Sequence, residues 1–127
     1  MTQKKIAILG AGAIGSTIGG FFAKNGVDCT LIDMWPENVQ QVRSNGLRVT
    51  TMEDEFVSHP GILHISDVST RGDSYDIVIL SVKSYDTEWS THFIKPYLNQ
   101  GSYVICAQNS INDDRIAAIL GLSLIHI

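Results

Sequence analysis

The spacing of apolar positions changes period several times along the chain. Lys4 to Leu9 is a short apolar run that stops at Gly10, and Ile14, Ile18, Phe21 and Phe22 then recur at helical spacing as far as Asn25-Gly26. The pattern predicts a strand, a tight turn, a helix and a stop. Val27 to Ile32 predicts a second strand. Pro36 then opens a helix with Val39 and Val42 on one face, closed by Asn45-Gly46. Leu47 to Thr51 alternates as a strand does. Met52 to Asp73 is polar and irregular, with room for a short hairpin around Phe56 to Ile65.

Asp76 to Val82 is almost continuously apolar, as a central parallel strand buried on both faces should be, and counts as the fourth strand. Tyr85, Trp89 and Phe93 follow at i, i+4 and i+8 and are expected to form the packed face of a helix that Pro96 ends or kinks. Tyr103 to Ala107 predicts a fifth strand. Asp113 to Leu120 predicts a last helix with Ile116, Ile119 and Leu120 apolar and Gly121 as its cap. Strands alternating with helices, without repeats or low-complexity linkers, imply an α/β fold: a doubly wound parallel sheet with right-handed crossovers.

Composition narrows the class. With 44% hydrophobic residues, 17% charged residues and a net charge of -4, the chain suits one globular domain, and its acidity disfavours nucleic acid and anionic membranes as partners. No apolar run reaches the roughly 20 residues of a membrane helix. The stretch after Lys4 and Lys5 is too short and too quickly interrupted by glycine for a signal peptide, so a cytoplasmic location is expected. Cys29 and Cys106 fall in the second and fifth strands. In a 3-2-1-4-5 order these stand three spacings apart, roughly 14 Å, which no disulfide spans. His59, His64 and His92 share no metal-ligand spacing and read as ordinary surface or loop residues, so no metal site is expected.

The sequence Gly10-Ala11-Gly12-Ala13-Ile14-Gly15 is G-x-G-x-x-G. Alone it is a weak signal. Here it leaves a predicted strand, opens a predicted helix, and is followed about 20 residues later by Asp33 at the end of the second strand. That context points to a Rossmann-type domain. Gly10 permits the sharp turn, Gly12 lets a pyrophosphate approach the backbone, and Gly15 with Gly19 lets the helix lie close to the sheet. The helix N-terminus offers amide donors to the phosphates. Asp33 would accept from the adenosine ribose hydroxyls and repel a 2′-phosphate; the alternative is a solvated strand-end acid. No Lys or Arg lies between Asp33 and Arg43, so NADH is expected in preference to NADPH.

The combination of GAGAIG (Gly10 to Gly15), SVKSYDT (Ser81 to Thr87) and AQNSIN (Ala107 to Asn112) resembles the N-terminal domain of the ketopantoate reductase family, from about Lys5 to Gly121. The resemblance implies an NAD(P)H-dependent reduction of a 2-oxo acid to a 2-hydroxy acid such as pantoate. It places Lys83 near the nicotinamide and Asn109 on nicotinamide and substrate. The alternatives are a solvated lysine at a helix start and a residue that caps or turns the chain. Two departures stand out. Ser110 occupies a position where the family often has glycine, and the basic NADP-binding residue common near Met34 and Trp35 is absent, which points to an NAD-using relative.

In the family the general acid is a lysine of a C-terminal helical substrate domain, and a homodimer is possible for the whole enzyme. That domain is not in this sequence. Residues 1–121 are therefore read as the cofactor half, with the sheet incomplete at its C-terminal side. Leu122 to Ile127 matches the translation of a transposon end used as a sequencing adapter and is expected to be foreign; a sixth strand is the alternative. Two other functions compete: a regulatory nucleotide-sensing module, which has no use for Lys83 and Asn109, and a glycerol-phosphate or sugar-acid dehydrogenase, which shares the glycine turn. Gln108-Asn109 is the feature that separates them from the leading reading.

Overall fold

Residues 4–107 and 113–120 are described by a computed structural model. Five strands, β1 (Ile6–Leu9), β2 (Cys29–Asp33), β5 (Gly61–His64), β6 (Tyr75–Leu80) and β7 (Leu98–Cys106), form one parallel sheet in the order β5-β2-β1-β6-β7. In chain order of the sheet strands this is the expected 3-2-1-4-5, with three spacings between the strands of Cys29 and Cys106. Burial and the nearby Asp28 carboxylate push the Cys29 thiol up to about 11. It packs as a small apolar group rather than as a nucleophile.

Period-two alternation divides the strands between two cores. Ala7, Leu9, Ile32, Leu63, Val78, Leu80 and Val104 face one side, where Ile94 of α4 (Thr87–Ile94) and Ile116 and Leu120 of α5 (Asp113–Leu120) cover them. Ile8, Leu31, Ile62 and Ile79 face the other, against α1 (Ala13–Lys24) and Val39 and Val42 of α2 (Pro36–Asn45). Helices on both faces make the sheet doubly wound, and each fully buried aliphatic side chain stabilises it by roughly 1.5–3 kcal/mol. No helix among the described residues is long and apolar enough to cross a membrane.

Three expectations are corrected. The third sheet strand is β5, not Leu47–Thr51. The latter forms β3 (Leu47–Thr50), which pairs antiparallel with β4 (Glu55–Ser58) in a separate hairpin. The hairpin therefore lies earlier than Phe56 to Ile65. In β3 only Val49 is buried while Arg48 and Thr50 are exposed. Such a strand cannot be covered on both faces, whereas Ile62-Leu63 can.

The second correction concerns α1. Ile14 is 43% exposed, and the buried positions are Gly15, Gly19 and Gly20. The closest approach to the sheet and the hairpin is made by backbone, with larger side chains flanking it. A Cβ on Gly19 would stand 2.9 Å from Leu31 Cδ2, and one on Gly20 would overlap Val49 Cγ2. Ile18 and Phe22 are only partly buried beside the core, and Phe21 meets Phe56 edge-on at 5.0 Å.

The third concerns α4. Tyr85 precedes it in a short 3-10 turn (Ser84–Asp86) and is 80% exposed. Thr87, Ser90, Thr91 and Ile94 are the buried face, three small polar residues and one aliphatic. Trp89 and Phe93 are half-buried and meet edge-on, and Phe93 continues to Tyr97 in a tilted pair. The helix stops at Ile94, and Pro96 sits in the 3-10 turn that follows.

A helix-interior Gly→Ala change ordinarily gains about 0.5–1 kcal/mol. At Gly20 the sign reverses. Gly20→Ala should lower unfolding stability in urea by about 1–3 kcal/mol through overpacking on Val49. Combining it with Val49→Ala should recover part of that loss. Strictly additive losses in the double variant would mean that the two positions do not meet.

Candidate functional site

The site begins where β1 runs out. Gly10 takes φ +102°, which side chains rarely adopt, and its N–H donates to the Ile32 carbonyl at 2.8 Å. From the other side the Ser81 N–H donates to the Leu9 carbonyl at 2.9 Å, and the Ser81 hydroxyl is shared between the Gly10 carbonyl at 2.7 Å and that of Leu9 at 3.2 Å. The turn is thus pinned by both neighbouring strands. A Cβ on Gly15 would overlap the Gly10 carbonyl oxygen and Ser81 Oγ, so helix and turn touch backbone to backbone.

Gly12 is the N-cap of α1 and gives it no side-chain cap. A Cβ there would meet nothing within 4 Å. Glycine is required at Gly15 by the protein's own packing; at Gly12 the protein leaves open space. The Ala13, Ile14 and Gly15 amides have no acceptor one turn back in the helix, and the helix dipole adds partial positive charge. Ala11 is buried, with its carbonyl accepting from the Ser16 hydroxyl at 2.8 Å. This is a cradle for a group that carries negative oxygens and needs room at Gly12.

Asp33 closes β2 and is buried. Its Oδ2 accepts from the Asn38 amide at 2.7 Å, and the same amide lies 3.4 Å from the Ala11 carbonyl. Oδ1 has no partner among the described residues and can accept from hydroxyls. Arg43, the first cation after Asp33, is turned away: its guanidinium reaches the Ile62 carbonyl at 3.2 Å and Asp67 at 3.5 Å.

Glycine turn and acid share one cleft of about 520 Å³, lined by Gly10, Ala11, Gly12 and Asp33 and, beyond them, by Trp35, Asn38, Ser81, Lys83 and Tyr85. Trp35, 64% exposed, follows β2, and Tyr85 follows β6. The loops carrying them flank the turn after β1. Lys83 is exposed on the cleft lining, and its carbonyl accepts the Asp86 N–H at 2.8 Å. A groove of about 600 Å³ between α2 and the hairpin lacks these features. The cleft is instead at the carboxyl ends of the strands, where open α/β sheets bind ligands.

The structure therefore brings Gly10, Ala11, Gly12, Asp33 and Lys83 to one cleft. Asn109 lies outside the described residues, as do Ser110, Gly121 and the tail after it. The Ala107 N–H, donating to the Leu80 carbonyl at 2.8 Å, does bring the end of β7 beside Ser81. Sequence reasoning missed Asn38 and the bonding role of Ser81. It also took His64 for an ordinary loop or surface residue, whereas His64 ends β5 with both ring nitrogens engaged. Register was the only signal that could have found it. No His, Cys, Asp or Glu cluster of metal-binding form occurs among the described residues.

The sequence profile of the family described as ketopantoate reductase PanE/ApbA matches residues 6–121. The 2-dehydropantoate 2-reductase of Lactococcus lactis subsp. lactis is 34% identical over 110 residues, which is 87% of this chain and 35% of the relative. That of Pyrococcus abyssi is 34% identical over 125 residues, covering 94% and 38%. Among solved structures, the PanE/ApbA family ketopantoate reductase of Ralstonia eutropha superposes with a TM-score of 0.82 at 34% identity, covering 92% of this chain and 38% of its own. A D-mandelate dehydrogenase in ternary complex with NADH and anilino(oxo)acetate gives 0.84 at 33% identity, covering 95% and 38%. The chain spans little more than a third of the length of these relatives. With its glycine turn, its strand-end acid and a match over nearly all of its residues, the chain belongs to the ketopantoate reductase PanE/ApbA family.

Proposed function

We propose that this chain is the cofactor-binding half of an NAD(P)H-dependent reductase that converts a 2-oxo acid into a 2-hydroxy acid. The observation that carries the reading is the open space at Gly12, facing the same cleft as the Asp33 carboxylate. A pyrophosphate fits against the bare Gly12 backbone and takes the Ala13, Ile14 and Gly15 amides as donors. A ribose diol fits Oδ1 of Asp33. Family membership supplies the reaction class.

When bound, the nicotinamide supplies a hydride to the keto carbon, and the resulting alkoxide takes a proton to become the hydroxyl. The chain's own residues bind and orient. Lys83 holds a position on the cleft lining from which its ammonium can contact the dinucleotide. The resemblance gives Asn109 contacts to nicotinamide and substrate, and assigns proton donation to a lysine of a helical domain outside this sequence. On this reading the partners are a small 2-oxo acid and, for the whole enzyme, a second copy of itself, in the cytoplasm.

NADH is the favoured cofactor. Asp33 would face a 2′-phosphate with like charge, and Arg43 is engaged with Ile62 and Asp67 instead of the cleft. Calorimetry should show NADH binding at least about 10-fold more tightly than NADPH, and Asp33→Ala should remove the difference, since a charge-assisted hydrogen bond contributes roughly 1.5–3 kcal/mol. Tighter binding of NADPH by the parent would sink the assignment of Asp33.

Gly12→Val should fold like the parent, because nothing lies within 4 Å of the new Cβ, and should lose dinucleotide binding. Equal affinity in a folded variant would move the phosphate site elsewhere. Residues 1–121 alone should bind NADH without measurable reduction of ketopantoate. A positioned general acid contributes about 100- to 10,000-fold, and closure over the substrate adds more. The check is NADH absorbance with this stretch, beside a form continued into the downstream reading frame. Turnover by the short form that disappears on Lys83→Ala would show that the acid lies within this chain.

A further inference from the structure

The turn that follows Asp33, the last residue of β2, has little packing of its own. Met34 is half-buried, and Trp35, Pro36 and Glu37 are exposed. Polar anchors must therefore set its position. One is Asn38, which holds Oδ2 of Asp33 from α2. The other comes from the opposite side. His64 ends β5 in register with Asp33. Its Nδ1 accepts the Ser66 backbone N–H at 3.2 Å and lies 2.8 Å from the Ser66 hydroxyl, while Nε2 lies 2.9 Å from the Met34 carbonyl oxygen.

The network assigns the tautomer. A backbone N–H only donates, so Nδ1 presents its lone pair to Ser66, the ring proton sits on Nε2, and it is donated to the Met34 carbonyl. The carbonyl of the residue that follows Asp33 is tied to β5 by a ring whose other nitrogen is itself fixed. Asp33 is thus clamped between α2 and β5, with Oδ1 left to the cleft.

We propose that His64 is a positioning residue: through the Met34 carbonyl it holds the Asp33 carboxylate where it meets the adenosine ribose, and so sets the preference for a 2′-hydroxyl over a 2′-phosphate. The inference rests on the dinucleotide reading above. His64 itself is not part of the cleft lining. What it controls is the aim of an acid at the last position of β2, where the turn that follows is otherwise held by Asn38, and misplacement lowers affinity for the ribose without disturbing the glycine cradle.

The test uses ADP-ribose and 2′-phospho-ADP-ribose, which carry the adenosine end alone, titrated calorimetrically into the parent and into His64→Ala, His64→Gln and His64→Asn. Glutamine can place an amide N–H where Nε2 stands and keep the donation to Met34; asparagine, one carbon shorter, reaches only as far as Nδ1. Loss of the single hydrogen bond should weaken ADP-ribose roughly 3- to 10-fold in the Ala and Asn variants, with Gln within about 2-fold of the parent. The preference for ADP-ribose over its 2′-phosphate should shrink in the first two and persist in Gln. Should the Ala variant not fold, the Asn and Gln pair carries the comparison. Parent-like binding by Asn, equal losses for both probes, or a Gln variant as weak as Asn would overturn the role. A parent that binds neither probe would remove the dinucleotide reading and this role with it, whereas a binding parent with an indifferent Asn variant removes the role alone.

Discussion

The site depends on one contact between main chains: the Gly15 backbone lies against the Gly10 carbonyl, with no room for a side chain. Everything at the carboxyl end of the sheet follows from that distance. Because α1 starts against the end of β1, its unsatisfied amides and its partial positive charge are delivered to the rim of the sheet rather than to solvent. Because the Gly10 carbonyl is held by Ser81, the loop after β6 is brought to the same rim. The cleft is the space between the loops after β2 and β6, and its floor is the turn they both grip.

Much of this was legible because it is local. A strand, a glycine turn and a helix are contiguous in sequence, and the acid at the end of the next strand falls at a spacing set by the length of one helix. The same holds for α2, whose proline start and glycine stop stand in plain view, and for α5. What could not be read is what depends on contacts between distant segments. Leu47 to Thr50 and Gly61 to His64 are both short and β-prone. Which of them joins the sheet turns on burial of both faces, possible for Ile62-Leu63 and not for a strand with Arg48 and Thr50 exposed, and that depends on distant segments. Periodicity likewise chose the aromatic side chains of α4 as its packed face, where Thr87, Ser90, Thr91 and Ile94 are buried instead. In α1 the close approach at Gly15 and Gly19 was legible from the glycine motif, whereas Gly20 against the hairpin was not.

The site shows the same division. Gly10 to Gly15 and Asp33 announce themselves by type and spacing. The residues that hold them, Asn38, Ser81 and His64, are ordinary polar residues whose meaning lies in what they face. Ser81 is 71 residues from the carbonyl it binds, and His64 is 30 from its own. A carbonyl in a distant turn leaves no mark in the sequence.

The β3–β4 hairpin has a different standing from the rest of the domain. Its ladder pairs only with itself, and it meets the body of the protein through the outer side of α1: Val49 on Gly20, Phe56 on Phe21, the Ser58 hydroxyl on the Gly20 carbonyl at 3.0 Å, and Asp54 with Lys24 at 2.7 Å. None of these contacts involves the sheet ladder or the cleft. Leu47 adds a contact with the α2-side core, and no hydrogen-bond ladder joins the hairpin to the five parallel strands, the condition for a unit of local unfolding. Change in the hairpin is therefore met at the outer side of α1, away from the glycine turn and the cleft.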